Sequence, residues 1–153
     1  MEAHTYRTTE PRRARARDDK ILAQYFALGL GVLLTIVGLA GFIVNSDFST
    51  GDSITSDQLI IFDVNGWHNV AHLLTGLLGL YMGTRAGMAR AYAGVIGIAY
   101  LLLLIIGLLD STILGVIPVN DPDMALHGAI AIAGIAVAMA PDLSDTERRA
   151  EGN

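Results

Sequence analysis

The chain has 153 residues, of which 52% are hydrophobic and 16% charged, with a mean hydropathy of +0.49 and no cysteine. A soluble domain carries about 25% charged residues, so this composition indicates a protein that is embedded in lipid. The lack of cysteine excludes disulfides, thiolate nucleophiles, iron–sulfur clusters and cysteine-type zinc sites. The net charge of -5 gives no support to nucleic-acid binding.

The first predicted segments are a basic tail and a membrane span. Residues 1–20 hold six of the ten basic residues and show almost no apolar periodicity, which predicts a flexible tail. Residues 21–44 contain only Gln24 and Thr35 as polar interruptions, and they are long enough to cross a hydrocarbon core of about 30 Å. A signal peptide usually has a shorter apolar region of about 7–15 residues, so a retained anchor is predicted.

Three further apolar runs follow the first one and complete a predicted domain over residues 21–140. They cover residues 67–83, 91–109 and 124–140, and a charged tail occupies residues 141–153. The sequence therefore predicts an all-α integral membrane protein with four transmembrane helices.

The basic residues predict how these spans are oriented. With four spans, both tails and the turn around Arg85 and Arg90 lie on one side of the membrane. Those three segments contain all ten Lys and Arg residues, whereas the two opposite loops contain none. By the positive-inside rule, both termini are predicted to be cytoplasmic, in the inner membrane of a prokaryote.

A short motif occurs twice along the chain. The segment at 64–72 recurs 55 residues later at 119–127, and each copy has Val-Asn followed, seven residues after the asparagine, by a histidine. The repeat predicts two helical hairpins in the same orientation, related by an axis along the membrane normal. Asn65 and Asn120 are the predicted N-caps of the helices that follow, with Gly66 and Asp121 as alternatives one step on.

Three histidines are predicted to converge near the outer ends of the second and fourth spans: His68, His72 and His127. Their simplest role is structural, as hydrogen bonds across helices to Asn69, Thr75 or a backbone carbonyl. A metal site is an alternative, because histidines four residues apart on a helix chelate zinc, copper or nickel, and an aspartate from the set Asp63, Asp121 and Asp123 could complete it. A haem held by His72 and His127 is another alternative.

Small residues on the spans predict close helix packing. The glycines chosen for this role are Gly38, Gly76, Gly79, Gly94, Gly97 and Gly134. Three aromatic residues near span ends, Trp67, Tyr25 and Tyr92, are expected to act as interfacial anchors.

The motif at 64–79, with Gly115 to Asn120 and His127, resembles a family of small bacterial membrane proteins grouped as domain of unknown function 4383. The resemblance extends over about Gln24 to Ala140. It implies four transmembrane helices with an Asn/His motif at the second and fourth, and no established activity or cofactor. Asp123 and Met124 replace the pair His68 and Asn69 in the second copy, which argues against a fully symmetric histidine site.

Together these features predict a non-enzymatic accessory or structural subunit that packs against a larger membrane assembly. Its expected partners are the lipid bilayer and other membrane protein subunits. No cofactor is expected under this hypothesis. The alternative is a metal-binding or haem-binding membrane protein that uses His68, His72 and His127 near the outer face.

Overall fold

Four helices and two short β-hairpins make up the computed structural model, which describes residues 10–140. The helices are α1 (Glu10–Val44), α2 (Gly66–Gly83), α3 (Ala86–Leu109) and α4 (Asp121–Met139). Three stretches are long and apolar enough to cross a membrane by length and composition: Leu22–Val44 in α1, and the whole of α3 and α4. The protein is thus a helical membrane protein. Helix α2, which carries His68, Asn69 and His72, is not among these three stretches.

The first helix starts earlier than the sequence analysis predicts. It begins at Glu10, so the part of the predicted flexible tail that the structure describes is helical. Pro11 suits the first turn of a helix, and the alternating arginine and alanine residues after it have high helix propensity. The rest of that predicted tail and the tail predicted at 141–153 lie outside the described residues.

Helices α1 and α2 run antiparallel, and so do α3 and α4, with glycines at each crossing. A Cβ atom on Gly31 would lie 2.7 Å from the backbone nitrogen of Leu80, and one on Gly97 would lie 2.7 Å from that of Ile135. All six glycines predicted to serve packing lie against a neighbouring helix. The partners are Leu73 for Gly38, Thr35 for Gly76, Tyr92 for Gly79, Ala138 for Gly94, Ile135 for Gly97 and Ala93 for Gly134.

The two loops opposite the basic turn each fold into a β-hairpin that the sequence analysis did not predict. The first pairs β1 (Asp57–Leu59) with β2 (Phe62–Val64), and the second pairs β3 (Thr112–Ile113) with β4 (Ile117–Pro118). Ile60 and Leu114, in the two turns, have φ values of 65° and 55°. This backbone conformation is unusual for residues other than glycine, asparagine and aspartate, so turn-residue signals did not reveal the hairpins.

The apolar core lies where α1, α3 and α4 meet, and it contains one residue that the sequence analysis misplaced. Tyr92 is 1% exposed, and its hydroxyl donates to the carbonyl oxygen of Thr75 at 3.1 Å. It is therefore a buried link between α3 and α2 and not an interfacial anchor. Tyr25 is exposed, and Trp67 is partly exposed with its indole N–H donating to the carbonyl oxygen of Phe48 at 3.0 Å.

Candidate functional site

Two asparagines at the starts of α2 and α4 connect the halves of the molecule. Each is an N-cap, because the side-chain oxygen of Asn65 accepts the backbone N–H of His68 and that of Asn120 accepts the backbone N–H of Asp123. The amide of Asn65 also donates to the carbonyl oxygen of Val116, and the amide of Asn120 donates to that of Ile61, both at 2.8 Å. We call α1, α2 and the first β-hairpin one half of the molecule, and α3, α4 and the second β-hairpin the other half. Each cap is thus bonded to the β-hairpin of the other half.

One residue of β2 joins the third helical residues of α2 and α4. The carbonyl oxygen of Asp63 lies 2.7 Å from Nδ1 of His68, and its backbone N–H donates to the carboxylate of Asp123 at 3.2 Å. That carboxylate also accepts the backbone N–H of Asn120 at 3.0 Å, completing a capping box. Because a carbonyl oxygen only accepts, Nδ1 of His68 carries the proton in this arrangement.

The three predicted histidines do lie together, near the N-terminal ends of α2 and α4. The ring centroid of His68 is 4.4 Å from that of His72 and 6.4 Å from that of His127. Tyr100 on α3 adds an aromatic ring whose centroid is 5.2 Å from that of His127 in a T-shaped contact. All four side chains are buried.

These rings border a cavity of about 90 Å³. The remaining walls are apolar apart from Thr75: Ala71 and Thr75 from α2, Ile96, Ala99 and Leu103 from α3, and Ile113 and Ile117 from the second hairpin. At about 30 Å³ per water molecule, the space is that of roughly three waters. Typical pockets for drug-sized ligands and cofactors are about 300–1,000 Å³, several times this volume.

The structural hypothesis for the histidines accounts for His68 only. Within residues 10–140, Nδ1 of His72 and Nδ1 of His127 are buried and have no hydrogen-bond partner. Asn69, one partner suggested by the sequence, bonds elsewhere, because its amide donates to the carbonyl oxygen of Asn45 at 2.7 Å. The carbonyl oxygen of Thr75, the other suggested partner, accepts from the hydroxyl of Tyr92. A buried polar atom without a hydrogen-bond partner lowers the stability of the fold by about 1–3 kcal/mol. The structural hypothesis does not explain why two such nitrogens are present.

The metal hypothesis finds no matching site in the described part of the chain. There, no group of three or more His, Asp or Glu side chains is arranged to hold a metal ion. The Asp123 carboxylate, one of the predicted additional ligands, is instead bonded to the backbone N–H groups of Asn120 and Asp63.

The loop before the first hairpin is fixed on the start of α2. The carbonyl oxygen of Asp47 accepts the backbone N–H of Gly66 at 2.7 Å. Its carboxylate accepts hydrogen bonds from the hydroxyls of Thr55 and Ser49 and from the backbone N–H of Ser49. These bonds, that of Thr55 foremost, lower the pKa of the Asp47 carboxyl below its ordinary value of 3.8.

Two residues of this region were missed by the sequence analysis. Tyr100 lies in the apolar run of α3, where an aromatic residue is ordinary, and only the fold brings it to His127. Asn45 follows the predicted first span directly, and in the structure it is buried and its carbonyl oxygen accepts from Asn69. Its place directly after the last residue of the first span is a usable signal, because a helix end in lipid needs polar partners.

Comparison with known proteins gives one family. Residues 24–140 match the family model described as "Domain of unknown function (DUF4383)". No curated protein and no solved structure matches the chain.

Proposed function

Because the chain belongs to the DUF4383 family, whose function is unknown, we propose a role from its geometry: it is a non-enzymatic membrane protein of four spans that packs as an accessory subunit against a larger membrane assembly. One observation carries the proposal. Asn65, Asn120 and Asp123 bond one half of the molecule to the other, while the large exposed side chains of all four helices, from Leu22 onward, are mainly apolar. Its partners are then lipid and other membrane protein subunits.

The proposal includes a membrane crossing by α2. Its 18 residues span about 27 Å at 1.5 Å per residue, close to the hydrocarbon thickness of about 30 Å. The polar residues of α2, His68, Asn69 and His72, are buried against the protein. Its exposed side includes Leu74, Leu77, Leu78 and Tyr81. Lipid would therefore contact an apolar surface, as a spanning helix requires.

We further propose that the four helices are two hairpins in the same orientation, derived from an internal repeat. Equivalent bonds at both ends support this. Near the inner end, Gln24 of α1 donates to the carbonyl oxygen of Gly83 in α2, and Arg90 of α3 donates to that of Ala138 in α4, both at 3.1 Å. At the outer end, Asn65 and Asn120 make reciprocal bonds to the opposite β-hairpin.

With four crossings, both termini are cytoplasmic and the two β-hairpins lie outside. All ten Lys and Arg residues then belong to the cytoplasmic segments, which fits the positive-inside rule in a prokaryotic inner membrane. If α2 does not cross, the first hairpin and the turn at Thr84 share one side.

Cysteine labelling tests this topology directly, because the chain contains no cysteine of its own. Ser53→Cys and Thr84→Cys are exposed positions that flank α2, and Ser111→Cys is the matched position in the second outer loop. A membrane-impermeant maleimide on intact spheroplasts should label the variants at 53 and 111, and should label that at 84 only after permeabilisation. Equal labelling at 53 and 84 in intact spheroplasts contradicts the crossing of α2.

Photocrosslinking tests the accessory role. A benzophenone amino acid is placed at one outward position on each helix, namely Ile36, Leu74, Val95 or Ile132, all exposed. If the protein packs against a larger assembly, one or two of these positions give a specific crosslink to another membrane protein, and the others contact lipid alone. The role is wrong if no position crosslinks to protein and the chain extracts in mild detergent as a free monomer.

A further inference from the structure

The accessory role makes no use of the cavity below the outer hairpins. Its polar wall consists of the imidazoles of His68, His72 and His127 with the ring of Tyr100, and the opposite wall is apolar. His72 is 6% exposed and His127 3%, and within the described residues Nδ1 of each has no hydrogen-bond partner. Both rings line the cavity, but Nδ1 of each has almost no accessible surface, so the nitrogen of each ring that can face the cavity is Nε2.

The third imidazole differs from these two. Nδ1 of His68 donates to the carbonyl oxygen of Asp63 at 2.7 Å, which fixes its proton on that nitrogen and its orientation. His68 is therefore a rigid part of the wall. The nitrogens available to a ligand are those of His72 and His127.

Of the five half-buried residues in the lining, one is Ile117 of the second β-hairpin and four lie on α2 and α3, so we place the rim of the cavity between these two helices. The four are Ala71 and Thr75 on α2, and Ala99 and Leu103 on α3. His72 lies six residues into α2, about 9 Å from its first residue. If α2 crosses the membrane, as proposed above, this opening borders the acyl chains of the outer leaflet. A ligand then enters from the lipid, and its bulk has to be apolar.

Two properties of the cavity define the head of such a ligand. The volume of about 90 Å³ admits a group of a few heavy atoms, so the rest of the molecule extends through the rim. The lining contains no Lys or Arg that could neutralise a carboxylate or phosphate at this depth. A neutral oxygen that accepts hydrogen bonds meets both conditions.

We propose that this cavity binds the carbonyl head of a neutral, apolar molecule dissolved in the membrane, with imidazole N–H groups of His72 and His127 as donors and its chain passing between Ala71 and Ala99. The inference rests on the proposed crossing of α2, which cysteine labelling tests separately. A failure of ligand binding with correct labelling therefore overturns this inference alone.

The test uses the purified full-length chain in detergent and four probes with matched chains. 2-Undecanone carries a small neutral carbonyl, a decyl-substituted benzoquinone carries a larger one, undecanoic acid carries a carboxylate, and undecane carries no oxygen. Binding is followed by the shift in melting temperature and by NMR of ¹⁵N-labelled histidine side chains. We expect 2-undecanone to bind and to move the Nε2 signals of His72 and His127, and undecane to leave them unchanged. Binding of the quinone as well extends the site to ring-shaped heads.

Variants separate the site from unspecific partition into detergent. His72→Phe and His127→Phe should each weaken 2-undecanone binding about tenfold, as expected for one lost hydrogen bond. Ala99→Leu keeps all three histidines and narrows the rim, and it should abolish binding. Leu74→Ala, on the exposed side of α2, is the matched control and should bind as the unchanged protein does.

Three results overturn the proposal. The first is equal response to 2-undecanone and undecane, and the second is binding that survives both Ala99→Leu and His72→Phe. The third is preferential binding of undecanoic acid, which contradicts a neutral acceptor. If a variant does not fold, as judged by its size-exclusion profile, the ¹⁵N signals of the unchanged protein decide the question.

Discussion

The two antiparallel helix pairs, α1 with α2 and α3 with α4, have similar backbone arrangements. The equivalent position is occupied by a polar side chain in the first pair and by an apolar side chain in the second. In the first pair, Gly41 of α1 leaves room for the side chain of Asn69, an amide that donates to the carbonyl oxygen of Asn45. In the second pair, Gly107 of α3 leaves room for Met124 in the same way, and the contact is apolar. The space next to a glycine thus holds a polar side chain in one helix pair and an apolar side chain in the other.

A second difference lies one residue earlier in each motif. His68 in α2 and Asp123 in α4 are both third helical residues, and both are bonded to the backbone of Asp63. The two side chains use different groups of Asp63: His68 donates to its carbonyl oxygen and Asp123 accepts from its N–H. The comparison shows that the protein itself supplies backbone partners for the polar residues at both helix starts, which removes the cost of leaving them unpaired.

The largest effect is expected at the glycines that hold each pair together. Gly31→Val and Gly97→Val would each place a branched side chain against the backbone of the neighbouring helix, where even a Cβ lies 2.7 Å from a nitrogen atom. We expect each to lower the free energy of unfolding by about 3 kcal/mol, because overpacking forces the backbones apart. Unfolding by SDS in mixed micelles measures this change in the free energy of unfolding.

Gly29→Val is the control for this pair of variants. A Cβ on Gly29 has no neighbour within 4 Å, so the change should cost less than about 1 kcal/mol. If Gly29→Val destabilises as strongly as Gly31→Val, close packing of α1 on α2 does not explain the effect.

Exchanging the residue types at the two equivalent positions, Asn69 and Met124, tests the comparison between the helix pairs. Met124→Asn places an amide in the apolar contact with Gly107 and Val119, and should cost about 2 kcal/mol. Asn69→Met loses the hydrogen bond to the Asn45 carbonyl oxygen but also removes an Oδ1 that has no partner among the described residues. Because these two effects offset each other, the same free energy should change by less than about 1 kcal/mol. If both substitutions lowered the free energy of unfolding equally, the shape of the side chain and not its polarity would decide which residue fits beside the glycine.

The sequence predicts most of the helical framework because lipid imposes a strong constraint on it. The apolar runs place α1, α3 and α4 within a few residues of their observed ends, apart from the start of α1 at Glu10. The hairpins escape prediction because their strands are two or three residues long and their turns use Ile60 and Leu114 at positive φ.

The site was predictable in its members and unpredictable in its contacts. Spacing within α2 and the repeat bring the three histidines together, but neither periodicity nor repeat reveals that Tyr100 faces His127. Sequence also could not tell that one histidine is bonded to Asp63 while two are not, since this depends on where β2 passes above the helix ends.

A smaller effect is expected from the amides of the two N-caps. Asn65→Asp and Asn120→Asp keep the oxygen that caps the helix and remove the N–H donated to the opposite hairpin. Each should lower the free energy of unfolding by about 1 kcal/mol. Asn65→Ala, which also loses the cap, should cost about 1 kcal/mol more. A cost for the aspartate variants equal to that of alanine would mean that the bond between halves carries all of the effect.

The smallest effect concerns the acidity of the loop at Asp47. Because its folded pKa lies below the ordinary 3.8, the ionised carboxylate contributes stability that is complete above about pH 4 and is lost as pH falls through the folded pKa. Trp67, whose indole N–H donates to the neighbouring Phe48, reports loop order by fluorescence. We expect a constant signal from pH 7 to about pH 4 and a decline below, absent in Asp47→Asn. An identical decline in that variant would assign it to other groups.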